Sequence, residues 1–232
     1  MSADNMIFEP APIVTVPIKG SDQLFPVRRI YCVGQNYADH TKEMGGTPGL
    51  NKPVFFSKPA DAIVPPTVSK VHYPPKTSEL HHEVELVVAL GKGGKNIGEY
   101  AAFSHIFGYA IGVDLTRRDK QAEAKAKGMP WDLAKGFDES APISHIYPVA
   151  TVGQRQQGFI KLRVNGRVKQ ESDLSLMMMK VAKIIAELSS EVTLAAGDLI
   201  FTGTPAGVGP LQRGDKVDAA IEGLGDHQFE MI

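Results

Sequence analysis

Glu83 and Glu85 stand two apart in the run HHEVELVVAL at residues 81–90, which reads as a β-strand ended by Gly91. Alternate residues of a strand share a face, so the two carboxylates would stand side by side while Val84 points away. Such a pair on a half-buried strand repels itself and loses hydration unless a cation offsets both charges, which a hard divalent ion with oxygen ligands does. Asp114 adds a third carboxylate at the end of the apolar run YAIGVD, residues 109–114. Together the three make a facial set for Mg²⁺ or Mn²⁺ with positions left for water and substrate. Two plainer readings remain: a solvated strand face for the glutamates and a helix N-cap for Asp114.

Residues 116–127 are mostly good helix formers and stop at Gly128, and within them Arg118 and Gln121 are three apart and share a face. That face is either solvated surface or substrate contact. Lys135, in LAKGFD at 133–138, has small and apolar neighbours that would shield an ammonium able to stabilise developing negative charge, unless it snorkels to water. His40 and Glu43 are three apart in the helical segment 36–44, NYADHTKEM. They could be an acid–base pair, Glu43 taking a proton from water and His40 orienting or relaying it, or a surface contact. The turn TGTPAGVG at 202–209 lacks the Gly-Lys-Ser/Thr ending of a phosphate loop. Its amides could still hold a carboxylate and Thr204 could donate its hydroxyl, or it is a tight turn between strands. His72, His81, His82, His105, His145 and His227 show no zinc spacing with a cysteine and read as structural.

The elements that must position these groups are short. Strands are expected at 13–16, 27–33, 55–58, 81–90, 109–114, 198–202 and 216–221, and a hairpin at 159–164 and 167–170 around Asn165-Gly166. Ser172 or Asp173 would cap a helix running to Glu187. Gly 23 and Pro 16 exceed the roughly 12% of average usage and predict many turns. The fold expected is α+β and strand-dominated, with a short amino-terminal segment, 1–25, packed on a main domain, 26–232.

At 232 residues the chain can bury a core without disulfides or metals, and 43% hydrophobic with 22% charged residues is an ordinary globular composition. With 25 Lys+Arg against 26 Asp+Glu, no broad phosphate-binding surface is expected, so a small-molecule partner fits and nucleic acid does not. No run approaches the roughly 20 apolar residues of a spanning helix and the start carries no basic-then-apolar leader, so no membrane association is expected. Cys32 is the one cysteine, which suits a reducing compartment, the cytoplasm by default.

Taken in order, the runs YCVGQNYADHTKEMG, FFSKPADAI, LHHEVELVVALGKGGKNI, GYAIGVDLTRRDKQAEAKAKGMPW, LAKGFDESAPI, KLRVNGRVKQ and LAAGDLIFTGTPAGVGPLQRGD resemble the fumarylacetoacetate hydrolase family. The likeness is to its short single-domain acylpyruvases and fumarylpyruvate hydrolases, and it covers nearly the whole chain after about residue 25. It implies a mixed β-sandwich roll with a few peripheral helices, a homodimer, and one Mg²⁺ or Mn²⁺ per subunit. By position it makes Glu83, Glu85 and Asp114 metal ligands and Lys135 the active-site lysine. It makes His40 with Glu43 the water-activating dyad of a lid helix, and Arg118, Gln121 and Thr204 substrate contacts. Many relatives carry Arg where this chain has Gln35, a substrate-facing position, so a cation for a distal carboxylate is missing there. The implied reaction is carbon–carbon hydrolysis of a 2,4-diketo acid, fumarylpyruvate to fumarate and pyruvate in aromatic-acid (gentisate) degradation. Oxaloacetate decarboxylation, isomerisation of unsaturated diacids and non-catalytic ligand binding are the alternatives.

Overall fold

The strand Val84–Leu90 is buried at every position, which requires protein on both of its faces. The computed structural model describes residues 6–49 and 54–232, and the amino-terminal segment expected over 1–25 begins on residues outside that range. Val84–Leu90 lies inside a six-stranded sheet whose order is Tyr147–Pro148, Ile106–Val113, Val84–Leu90, Asp198–Phe201, Arg29–Gly34 and Val54–Lys58. Asp198–Phe201 runs parallel to Arg29–Gly34 and antiparallel to Val84–Leu90, so the sheet is mixed.

Leu86, Val88 and Leu90 point into the larger core, where they join Ile160, Leu162, Val217 and Phe229 of a five-stranded sheet. Each such burial contributes about 1.5–3 kcal/mol, and Leu86→Ala would cost about 2–5 kcal/mol. Val87 and Ala89, one residue out of phase, enter a second cluster with Ala110, Leu199 and Phe201. Val16 and Phe25 belong to the same cluster, carried by the antiparallel ribbon of Thr15–Pro17 and Leu24–Pro26. The expected strand at 13–16 is thus shifted, with Ile13 exposed and Pro17 paired at an edge that tolerates it. The architecture is an α+β, strand-dominated mixed β-sandwich with short peripheral helices.

Two expectations are corrected. The run 81–90 is not one strand: Leu80–His82 belongs to a three-stranded sheet with Thr116–Arg117 and Gly209–Leu211, and Glu83 is the joint between sheets. The helix expected from Ser172 or Asp173 begins instead at Val181 and runs to Glu191, burying Val181, Ile184, Ile185 and Leu188. Residues 172 and 173 end the strand Arg167–Asp173, and Asp173 caps only a 3₁₀ turn. Asn36 explains the delay: its side chain accepts from the Met179 amide at 2.6 Å and donates to the Met179 carbonyl at 2.9 Å. Backbone groups satisfied in that way are not available to a helical turn. The hairpin forms as expected, with Asn165 at φ 51° and Gly166 at φ 77°.

Candidate active site

The antiparallel register Val84↔Val113 sets Glu83 beside Asp114, and the Asp114 amide donates to the Glu83 carbonyl at 2.8 Å. Glu85 follows on the strand. Its Oε2 accepts from the Gly203 amide at 2.7 Å, so the 202–209 turn does hold a carboxylate, one of the protein's own. Gly203 has φ +98°, and a Cβ there would lie 2.7 Å from Asn36 Cβ, which only glycine avoids. Donor oxygens of Glu83, Glu85 and Asp114 all fall within 4.8 Å of one another, and the three residues are buried.

Two lysines bracket this set. Lys135, at the end of the helix Asp132–Lys135, uses all three of its hydrogens, on Asp114 Oδ2 at 2.6 Å, Thr116 Oγ1 at 2.7 Å and Glu83 Oε2 at 2.8 Å. Burial alone would lower its pKa, but Asp114 and Glu83 overrule it and hold the ammonium above the usual lysine range. Lys58, fully buried, lies 2.8 Å from Asp114 Oδ1 and donates to the carbonyls of Leu115, Ser140 and Lys135. Burial would likewise raise Glu83, yet Lys135, Arg118 and His40 hold it well below the carboxylate range. Glu85 goes the other way, pushed well up by burial and by the charges of Asp114 and Glu83.

That asymmetry tests whether a divalent ion fits. Glu85 has one backbone amide and no ion-pair partner among the described residues, and Asp114 Oδ1, although 2.8 Å from the Lys58 ammonium, takes no hydrogen bond, since Lys58 gives its hydrogens to three carbonyls. Carboxylate oxygens lacking donors, in a hard-oxygen set of three, suit Mg²⁺ or Mn²⁺. Asp114 is not the helix cap: Arg117 occupies that position and offers no side-chain bond, and the helix is Arg118–Lys127, closed by Gly128 at φ 61°.

Arg118 donates to Glu83 Oε1 and, at 2.5 Å, to Gln121 Oε1, so the shared helix face is buried against the carboxylates. Thr204 donates to the Val84 carbonyl at 2.9 Å and accepts from Gln170 Nε2 at 2.8 Å. Its hydroxyl hydrogen is therefore engaged within the protein. His40 and Glu43, on the helix Ala38–Glu43, are joined by Nδ1 and Oε2 at 3.0 Å, and Glu43 Oε1 accepts from the Gly207 amide at 3.0 Å.

One narrow cleft collects these groups: Gln35, His40, Glu83, Glu85, Asp114, Arg118, Gln121, Lys135 and Thr204 all line it. Glu43 is not on its wall; it backs His40. Gln35 sits there at φ 60°, a left-handed conformation uncommon outside glycine. Sequence reasoning missed four residues. Lys58 and Gln170 are buried supports, and Lys125 and Trp131 are further parts of the wall. Lys125 was legible, since it extends the Arg118–Gln121 face by four more residues; Lys58 and Gln170 carry no local signal.

The family model described as fumarylacetoacetate (FAA) hydrolase C-terminal matches residues 29–231. The mitochondrial oxaloacetate tautomerase FAHD1 of Mus musculus is 45% identical over 204 residues, 88% of this chain and 91% of the relative. The mitochondrial oxaloacetate decarboxylase of Dictyostelium discoideum is 39% identical over 206 residues, 88% and 94% of the two chains. A crystal structure of fumarylpyruvate hydrolase from Pseudomonas aeruginosa in complex with Mn²⁺ and pyruvate superposes with a TM-score of 0.96 at 46% identity, covering 98% of this chain and 99% of the other. No helix among the described residues is long and apolar enough to cross a membrane.

Proposed function

Because the chain belongs to the fumarylacetoacetate hydrolase family, we propose that it is a divalent-metal-dependent hydrolase of 2,4-diketo acids, turning fumarylpyruvate and water into fumarate and pyruvate. The observation that carries this reading is the His40–Glu43 pair, an acid–base couple whose histidine lines the same cleft as the three carboxylates. The likeness to the fumarylpyruvate hydrolase, over nearly the full length of both chains, supports it.

Glu83, Glu85 and Asp114 would hold the ion, which supplies Lewis-acid charge to the keto-acid end of the substrate. His40 takes a proton from water, and Glu43, 3.0 Å from its Nδ1, stabilises the imidazolium. The Gly207 amide keeps Glu43 in place for that role. Here His40 is given the base role expected of Glu43 from sequence, a choice supported by His40 lining the cleft. The hydroxide adds to the acyl carbonyl, the carbon–carbon bond breaks towards the pyruvate part, and His40 returns its proton to the pyruvate methylene. Lys135 and Arg118 add positive charge beside the reacting groups.

A second reading has an observation behind it. The 45% identity to an oxaloacetate tautomerase favours enolisation of oxaloacetate, for which His40 would move a proton at carbon without adding water. The proposal extends to a homodimer, to a place in aromatic-acid breakdown, and to a cytoplasmic location suited to one buried cysteine.

The deciding experiment mixes the protein with fumarylpyruvate, acetylpyruvate or oxaloacetate, with Mg²⁺, Mn²⁺ or a chelator, and follows diketo-acid absorbance together with products. Metal-dependent formation of fumarate and pyruvate is the expected result. Enolisation or decarboxylation of oxaloacetate with both acylpyruvates untouched would replace the hydrolase reading.

A further inference from the structure

Three cations line the cleft, and two are engaged inside the protein: Arg118 on Glu83, and Lys135 on Glu83 and Asp114. Lys125 has no ion-pair partner among the described residues. Its Nζ lies 5.2 Å from the centre of the Trp131 ring, and Trp131 lines the same cleft. The Trp131 face holds the ammonium without neutralising it, so its hydrogens remain available.

The helix explains why it points there. Arg118, Gln121 and Lys125 recur at intervals of three and four, one face of Arg118–Lys127. Seven residues of helix carry Lys125 about 10 Å along the axis from Arg118. Gln35, which lines the same cleft, is neutral and offers a distal carboxylate no charge.

We propose that Lys125, seated on Trp131, is the specificity residue that receives the distal carboxylate of a dicarboxylate acylpyruvate. This rests on the hydrolase reading above and names the substrate class within it. Lys135 has all three hydrogens on Glu83, Asp114 and Thr116, and the charge of Arg118 is already paired with Glu83. Lys125 breaks no ion pair by turning to a ligand.

The test compares the wild type with Lys125→Met, which keeps the stem and removes the charge, and Lys125→Arg. With Mn²⁺, the ratio of kcat/KM for fumarylpyruvate over acetylpyruvate falls about tenfold in Lys125→Met through KM, the size expected for one charge-assisted hydrogen bond, and recovers in Lys125→Arg. Without metal, emission of Trp131, the single tryptophan, reports fumarate binding against crotonate, which lacks the distal carboxylate. The wild type prefers fumarate, and Lys125→Met loses that preference. An unchanged ratio together with an unchanged preference overturns the assignment, as does an equal loss for both acylpyruvates. If the wild type cleaves neither acylpyruvate, the hydrolase reading fails, and the fumarate–crotonate titration alone then decides for or against Lys125.

Discussion

The ammonium of Lys135 lies 2.6 Å from Asp114 Oδ2, both groups withdrawn from solvent. Its positive charge offsets part of the repulsion among three buried carboxylates, and it places the lysine beside the set that would hold a metal.

Lys135→Met should therefore lose stability in a way that metal can repair. Breaking a buried pair costs about 3–5 kcal/mol because the partner charges stay behind. Thermal melts in chelator should show that loss, and Mn²⁺ should raise the melting temperature of the variant more than that of the wild type. Equal shifts in the two proteins would separate Lys135 from the ion's site.

Metal uptake should release a proton. Burial and the charges of Asp114 and Glu83 push the Glu85 carboxyl well above its usual range, so below that raised value it carries a proton that an incoming ion must displace. Apparent Mn²⁺ affinity should rise with pH, and calorimetry in buffers of different ionisation enthalpy should count about one proton released. Glu85→Gln should abolish both the binding and the release.

The dyad should separate chemistry from binding. Glu43→Gln or His40→Gln is expected to lower kcat by about 10²–10⁴ while Mn²⁺ affinity stays within a few-fold, since neither residue belongs to the carboxylate set. Parallel loss of turnover and metal binding in Glu43→Gln would remove the dyad from the proton-transfer role.

Acid should destabilise the protein through His227. Burial, with a smaller push from His145, lowers its pKa to about 4, and its Nε2 has no partner. Between the unfolded value of about 6.5 and the folded value the unfolded chain binds the extra proton. The contribution is whole above pH 6.5 and is lost as the pH falls through 4, amounting to about 3 kcal/mol. His81, brought down to about 4 by burial and then Arg118, acts in the same direction. Denaturant melts from pH 7 to 4 should show the decline, and His227→Leu should flatten it by about that amount.

What the sequence by itself determined is what travels through a few neighbouring residues. Apolar runs placed the strands Val84–Leu90 and Ile106–Val113, the Asn165-Gly166 pair placed a hairpin, and helical spacing put Arg118 and Gln121 on one face. Nine of the ten residues singled out for the site line one cleft, with Glu43 behind it. Tertiary structure decided the rest. Glu83 became a joint between sheets because Leu80–His82 found partners in Thr116–Arg117 and Gly209–Leu211. The last long helix waited until Val181 because Asn36, distant in sequence, had already satisfied the backbone at Met179. Lys58, between a strand end and a proline, looks like any surface lysine until Asp114 folds against it. Period and propensity are properties of adjacent residues, whereas the partner of a buried charge or of a free backbone group is chosen by whatever the fold brings alongside.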